Sequence, residues 1–195
     1  MNRTDEQLML DYQEGQKEAL EVIFVRYKKP IFNYALRILK ERAEAEDIIS
    51  EIFLMLFVKK DSYRPEGKFS TWLYTVARNT CISRIRKKSR LFSFWIRSKE
   101  TNDFEQRDIP DVTFSPERLS EEKETSSFVQ MAVNSLPLSQ REVIILREYH
   151  NMSYEEISQI MQCSLEKVKI LIFRARQRLR KKLAFLMKEV QNDRT

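Results

Sequence analysis

Apolar positions along this chain recur every three or four residues in nearly every segment, the period of helices with one buried face. Thr4-Asp5-Glu6-Gln7 is a capping box, in which the first and last side chains each satisfy a backbone N–H, so a helix starts almost at once and carries Leu8, Leu10 and Tyr12. Gly15 breaks that pattern. Leu20, Ile23, Phe24 and Tyr27 predict a helix from Lys17 to Lys28. Pro30 suits the first turn of a new helix, which runs to about Lys40 with Phe32, Ala35, Leu36 and Leu39 inward. Ile48, Ile49, Ile52, Phe53, Leu56 and Phe57 make a wide apolar face on a long helix from Ala43 to Lys59.

Asp61 to Lys68, with Pro65 and Gly67, reads as a loop. A helix then spans Phe69 to Lys88 with Leu73, Val76, Ala77 and Ile85 inward. The pattern thins out between Arg97 and Ser127, where acidic residues dominate and Pro110 intervenes, as in a flexible linker. Ser115-Pro116 starts the next helix, with Phe128, Met131, Ala132 and Leu136 inward and Pro137 ending it. Ser139 to Glu142 forms another capping box ahead of Val143, Ile144, Leu146 and Tyr149, and His150 closes that helix in a structural role. Ser153 and Glu156 form a further capping box on a short helix. Ser164 caps a long one whose inner face is Val168, Ile172, Ala175, Leu179 and Leu183. The tail beyond Leu186 should fray.

With only 2 glycines and 42% hydrophobic residues in 195, this chain is expected to be all-α: two small helical domains joined by a flexible linker. A short helix, a tight turn and a basic second helix make the C-terminal one a helix-turn-helix, whose second helix lies in the DNA major groove.

Charge adds a partner to this picture. The net charge of +6 suits a polyanion, and its distribution says more than its sum. Arg78, Arg84, Arg86, Lys87, Lys88 and Arg90 follow one another with no acid between them, behind Phe69, Trp72 and Tyr74. Rings for stacking beside cations for phosphate are what single-stranded nucleic acid requires. The same residues also read as core aromatics beside a solvated basic face, and the segment alone leaves both readings open. Glu41, Glu44, Glu46, Asp47 and Glu51 make an acidic stripe, either a solvated surface or a docking face for a basic partner.

Chemistry of other kinds finds little here. Cys81 and Cys163 are far apart and read as ordinary thiols. They cannot make a structural zinc site with a single His, and no metal or other cofactor is expected. No nucleophile–base pair stands out, so neither an enzyme nor a small-molecule substrate is expected. No signal-peptide pattern opens the chain, and the longest apolar run, Ile52 to Val58, is too short to span a bilayer, so a cytoplasmic protein is expected.

Several stretches together resemble a known family. Glu46-Asp47-Ile48-Ile49-Ser50-Glu51-Ile52-Phe53, Phe69-Ser70-Thr71-Trp72-Leu73-Tyr74 and Ala77-Arg78-Asn79 look like the second region of the sigma-70 family, best in its extracytoplasmic-function (ECF) branch. Leu136-Pro137, Arg141-Glu142-Val143, Tyr154-Glu155-Glu156-Ile157, Val168-Lys169 and Arg174-Ala175-Arg176 look like its fourth region, in the expected order and spacing. The resemblance implies a region 2 domain over 1–92, an acidic linker over 93–115 and a region 4 domain over 116–187.

It also implies a bacterial initiation factor that binds core RNA polymerase at the largest-subunit clamp and the flap, directs it to specific promoters and promotes DNA melting. Glu46, Asp47, Ser50 and Glu51 would dock on the polymerase. Tyr63, Lys68, Phe69, Trp72, Arg78, Asn79, Arg84, Arg86 and Lys87 would open and hold the −10 element. Ser164, Leu165, Glu166, Lys167, Lys169, Ile170, Phe173 and Arg174 would read the −35 element as duplex. An anti-sigma factor is a further partner implied by the family.

The chain departs from its family in places. Lys169 is followed by Ile170-Leu171 where the family usually has Ser-Arg, Ser83 stands where Asp is frequent, and Leu91 to Ile96 is an unusual apolar patch. Leu171 falls beside the core stripe, whereas Ile170 and Phe173 point away from it. They are either ordinary surface residues or apolar contacts to thymine methyls. The rival reading of the whole chain is a helix-turn-helix regulator with an N-terminal sensing domain, which would bind duplex DNA alone and leave the aromatic–basic helix unexplained.

Overall fold

The structure is a computed structural model, and it describes residues 3–99 and 121–193. Eight α-helices and no strand occur among these residues. The chain divides into two compact units, Met1–Phe114 and Ser115–Thr195. The Ser115-Pro116 helix start and the linker from residue 100 onward lie outside the described residues.

The first unit packs α1 (Asp5–Gln13), α2 (Lys17–Leu39), α3 (Arg42–Val58) and α4 (Phe69–Lys99), with a 3-10 turn, Lys60–Ser62, after α3. Thr4 caps α1 as its pattern predicts: its hydroxyl accepts from Gln7 N–H, and the Gln7 side chain takes the Thr4 N–H. The break expected at Pro30 does not occur, and α2 runs straight through it. A proline inside a helix removes a hydrogen bond and costs about 3 kcal/mol. Here one continuous buried stripe, Ala19, Ile23, Ile31, Tyr34, Ala35 and Ile38, offsets that cost. Because the phase carries over from the first half, Ile31, Tyr34 and Ile38 face inward, in place of Phe32, Leu36 and Leu39, which are only half-buried. Lys40 then ends α2 in the left-handed conformation.

Ala45, Ile48, Ile49, Ile52 and Leu56 form the inner face of α3. Phe57, expected inside, is 62% exposed and lies with Leu54 and Val58 on the outer face. The wide apolar pattern thus exceeds what its neighbours α2 and α4 cover. The inner face of α4 is Phe69, Leu73, Tyr74, Ala77 and Cys81. The helix extends to Lys99, past the Lys88 end its pattern suggests and through the Leu91–Ile96 stretch.

The second unit packs α5 (Glu121–Asn134), α6 (Leu138–Ile144), α7 (Tyr154–Met161) and α8 (Leu165–Asp193). Ala132, Val133 and Leu136 are buried at the end of α5 and just past it, whereas Met131, expected inward, is 49% exposed. The capping box expected at Ser139 does not form: α6 starts two residues earlier, capped by Pro137, whose carbonyl accepts from Gln140 and Arg141 N–H. Glu142 is thereby drawn into the helix and buried. After Ile144 the helix widens into a π-helical turn, Ile145–Tyr149, and His150 closes it. Tyr149 is left exposed there, against the pattern. Ser153 and Glu156 make the expected capping box on α7. Gln162, left-handed at φ 52, turns the chain, and the Ser164 hydroxyl accepts from Lys167 N–H at the head of α8. Helix α8 continues to Asp193 without ending at Leu186.

Pro30→Ala restores a main-chain donor in the middle of α2. Urea unfolding of the full chain should show a gain of about 2 kcal/mol, the helix term less the entropy that proline removes from the unfolded chain. A loss would mean that packing of the pyrrolidine ring outweighs the missing hydrogen bond.

Candidate nucleic-acid interface

Two surfaces carry the residues singled out in the sequence. On the second unit, α7, its turn and α8 form the expected helix-turn-helix. Val168, Leu171, Ile172 and Ala175 bury the inner face of α8 against α6 and α7. That burial forces Glu166, Lys167, Lys169, Ile170, Phe173 and Arg174 outward, and all six are exposed. Ser164 is exposed as the cap, and Leu165 is half-buried. Ile170 at 49% and Phe173 at 62% sit near the middle of the outer face, as their helical phase predicts, with cations on both sides. Arg176 is tied back to Glu148 at 2.8 Å, so this guanidinium braces α8 on the turn after α6. Arg147 helps from the same turn, donating to the Met152 carbonyl at 2.8 Å and lying over the Tyr154 ring.

On the first unit the aromatic residues separate from the cations. Phe69 is 0% exposed and Tyr63 1%, and both belong to the core, against the expectation that they face DNA. The apolar cost of leaving a ring in water is the reason: full burial of such a side chain stabilises by about 1.5–3 kcal/mol. Tyr63, Phe69 and Trp72 meet as one cluster with ring centroids 5.4–5.8 Å apart, and Tyr27 closes it on Phe69 at 5.6 Å. Trp72 is half-buried. The Tyr63 hydroxyl is buried with no hydrogen-bond partner among the described residues, which costs about 1–3 kcal/mol.

Downstream on α4, Asn79, Arg86 and Lys87 are exposed, as is Lys68 ahead of the helix, and Arg78 is half-buried. Arg84 behaves differently. It bonds Glu44 at 3.0 Å and Glu51 at 3.0 Å and lies 3.8 Å from Asp47. One turn on, Lys88 bonds Glu41 at 2.6 Å and Glu44 at 2.9 Å. A direct hydrogen bond from Lys88, strengthened by the charges of Lys88 and Arg84, holds the Glu44 carboxyl below its ordinary value. The acidic stripe of α3 and the basic half of α4 thus face each other along one seam.

This joins residues expected to serve different partners. A groove of about 510 Å³ is lined by Glu51, Asn79, Thr80, Ser83, Arg84 and Lys87. Asp47 and Glu51 still offer 69% and 55% of their side chains to solvent, and Ser50 and Glu46 are exposed beside them, with Glu46 paired to Arg42 at 2.9 Å. The pattern of charges along the chain could not show this pairing, because it depends on how α3 and α4 cross.

No group of three or more His, Cys, Asp or Glu side chains among the described residues is placed to hold a metal, and neither cysteine forms a disulfide. No described helix is long and apolar enough to cross a membrane.

Comparison with known proteins follows the same division. Residues 23–91 match sigma-70 region 2, and residues 129–179 match sigma-70 region 4. The RNA polymerase sigma-H factor of Pseudomonas aeruginosa is 31% identical over 187 residues, which cover 95% of this chain and 96% of that protein. The ECF RNA polymerase sigma-E factor of Escherichia coli is 31% identical over 186 residues, covering 95% and 97%. Among solved structures, the sigma factor RpoE in complex with the anti-sigma factor NepR, from Bartonella quintana, shares the fold with a TM-score of 0.64 at 24% identity, over 84% of this chain and 96% of that one. CnrH in complex with the cytosolic domain of CnrY gives a TM-score of 0.65 at 20% identity, over 96% and 99%. Two matched regions in order, with relatives alike over nearly their whole length, establish that this chain belongs to the sigma-70 family, in its ECF branch.

Proposed function

We propose that this protein binds core RNA polymerase in the cytoplasm, directs it to specific promoters and promotes their melting, acting by binding and without a covalent step of its own. The observation that carries this reading is the pairing of two separately folded units: one presents a helix-turn-helix with an exposed outer face on α8, and the other presents α4, basic and aromatic, beside an acidic α3. The helix-turn-helix unit reads duplex, and the unit that carries α4 holds single strand. Melting costs roughly 1–2 kcal/mol per base-pair step, and stacking or polar capture of an extruded base returns a similar amount, so binding alone can drive it.

In this reading residues 1–92 and 116–187 are the two functional domains and 93–115 the acidic connection. Glu46, Asp47, Ser50 and Glu51 dock on the clamp, and the second unit meets the flap. The −10 strand is held by the 61–70 loop and by Lys68, Trp72, Arg78, Asn79, Arg86 and Lys87. Arg84 joins them only when its carboxylate partners turn to the polymerase. An anti-sigma protein would act by covering these same faces.

In vitro transcription with purified core polymerase and a library of genomic fragments tests the whole reading. Promoter-specific transcripts should appear only with both proteins present, and their absence from every fragment would refute it. For docking, Asp47→Ala with Glu51→Ala should weaken core binding at least about tenfold in a competition assay, as expected for charges desolvated at an interface. Thermal stability should change little, because exposed ion pairs contribute only about 0–1 kcal/mol. Core affinity within about twofold of the parent would place the docking face elsewhere.

For the −35 element, Ile170 with Phe173 packs on thymine methyls. Burying one methyl is worth about 0.8 kcal/mol, roughly a fourfold preference for thymine over uracil at one position. The holoenzyme should show that preference, and Ile170→Ser should abolish it. An Ile170→Ser protein that still distinguishes the two bases would disprove the contact.

A further inference from the structure

Helix α1 lies outside the segment that matches sigma-70 region 2, which begins at residue 23. Yet its side chains reach across to the connection between α3 and α4 and bind both of its ends. At the near end, the Gln13 carboxamide donates to the carbonyls of Lys60 at 2.7 Å and Tyr63 at 3.1 Å. The Lys60 ammonium returns a bond to the Gln13 carbonyl at 3.0 Å and sits over the Tyr12 ring. At the far end, a Glu6 carboxylate oxygen accepts from the Phe69 N–H at 2.8 Å, at the first residue of α4. The N-terminus of α4 is a natural place for a negative charge, and this carboxylate comes from 63 residues upstream. That backbone hydrogen bond holds the Glu6 carboxyl below its ordinary value.

Between these anchors Arg64, Pro65, Glu66, Gly67 and Lys68 are all exposed. The Arg64 guanidinium bonds back to the Asp61 carbonyl at 2.7 Å, inside the same loop. The two ends of the connection are held by burial of the Tyr63 and Phe69 rings and by these polar contacts from α1. Helix α1 is itself clamped: Asp5 accepts from Arg26 and from the Tyr27 hydroxyl, each at 2.6 Å, on α2.

We propose that Glu6 and Gln13 are positioning residues for strand capture: through them α1 holds the 60–69 connection in the shape that receives an unpaired base of the −10 element. This rests on the functional reading above. It adds that the capacity to hold single strand depends on residues that contact neither DNA nor polymerase. Three consequences separate it from a general role in stability. Loss of the two side chains weakens single-strand binding. Binding to core polymerase, through α3, is unaffected. A variant that keeps the hydrogen-bond acceptor at position 6 keeps most of the function.

The test uses holoenzyme assembled from full-length chain and core polymerase. The probe is a fluorescein-labelled non-template oligonucleotide spanning the −10 region of the strongest fragment from the transcription assay. Glu6→Ala combined with Gln13→Ala removes one charge-assisted and two neutral hydrogen bonds to the connection and should lower affinity for the oligonucleotide at least about tenfold. Affinity for core, and for a duplex carrying only the upstream element, should stay within about twofold, and Glu6→Gln should bind the oligonucleotide within about threefold of the parent. Unchanged oligonucleotide affinity in the double variant would overturn the proposal. So would a parallel fall in core binding, which would assign α1 to the stability of the whole unit. A parent holoenzyme that binds a scrambled oligonucleotide equally well would overturn the loop's role in capture and this inference with it. Transcription from that fragment would still stand as evidence for the broader function.

Discussion

The first unit depends on how the head of α4 is held. Phe69 is fully buried, ringed by Tyr27, Tyr63 and Trp72, and its N–H is taken by Glu6. One residue thus joins an apolar anchor to a polar one. Its ring fixes where the helix begins, and its backbone donor fixes which way the preceding loop arrives. Everything past it on α4 follows from that start: Leu73, Tyr74, Ala77 and Cys81 go inward, and Arg86 and Lys87 are carried out to solvent. A helix is stiff enough that an anchor at one end sets the direction of charges several turns away.

Electrostatics then divides the surfaces. Arg84 and Lys88 face the acids of α3 and are held by them, so the basic half of α4 is not uniformly available to DNA. These pairs are mostly exposed, and each is worth little to stability. Their weakness suits groups that change partners, as the proposed docking of Asp47 and Glu51 requires of Arg84. The second unit shows a different economy. It holds α8 through Val168, Ile172 and Ala175 and braces it with Arg176 on Glu148. The apolar residues of its outer face are left uncovered.

Much of this was legible in the chain. Helical period, the capping boxes at Thr4 and Ser153, and the Ser164 cap located their helices because each depends on residues three or four apart. Ile170 and Phe173 were correctly placed outside by phase alone. Failures came where a local signal met a distant one. Pro30 reads as a helix start, yet burial on both sides of it keeps α2 whole. Ser139 reads as a cap, yet Pro137 starts α6 earlier and Glu142 is buried. Phe57 reads as core, yet its ring is left 62% exposed.

The amino-acid sequence by itself determined the class of the fold, the order of its helices, the helix-turn-helix and the faces rich in charge, since these depend on spacing, propensity and composition within a few turns. Only the tertiary structure decided which aromatic rings reach solvent, that Arg84 is bound to the carboxylates expected to dock elsewhere, and that Glu6 and Gln13 hold a loop some fifty to sixty residues away. Those outcomes depend on which helices cross and at what register. Hydrogen bonds and ion pairs act over a few ångströms in space, and separation along the chain leaves no trace of them.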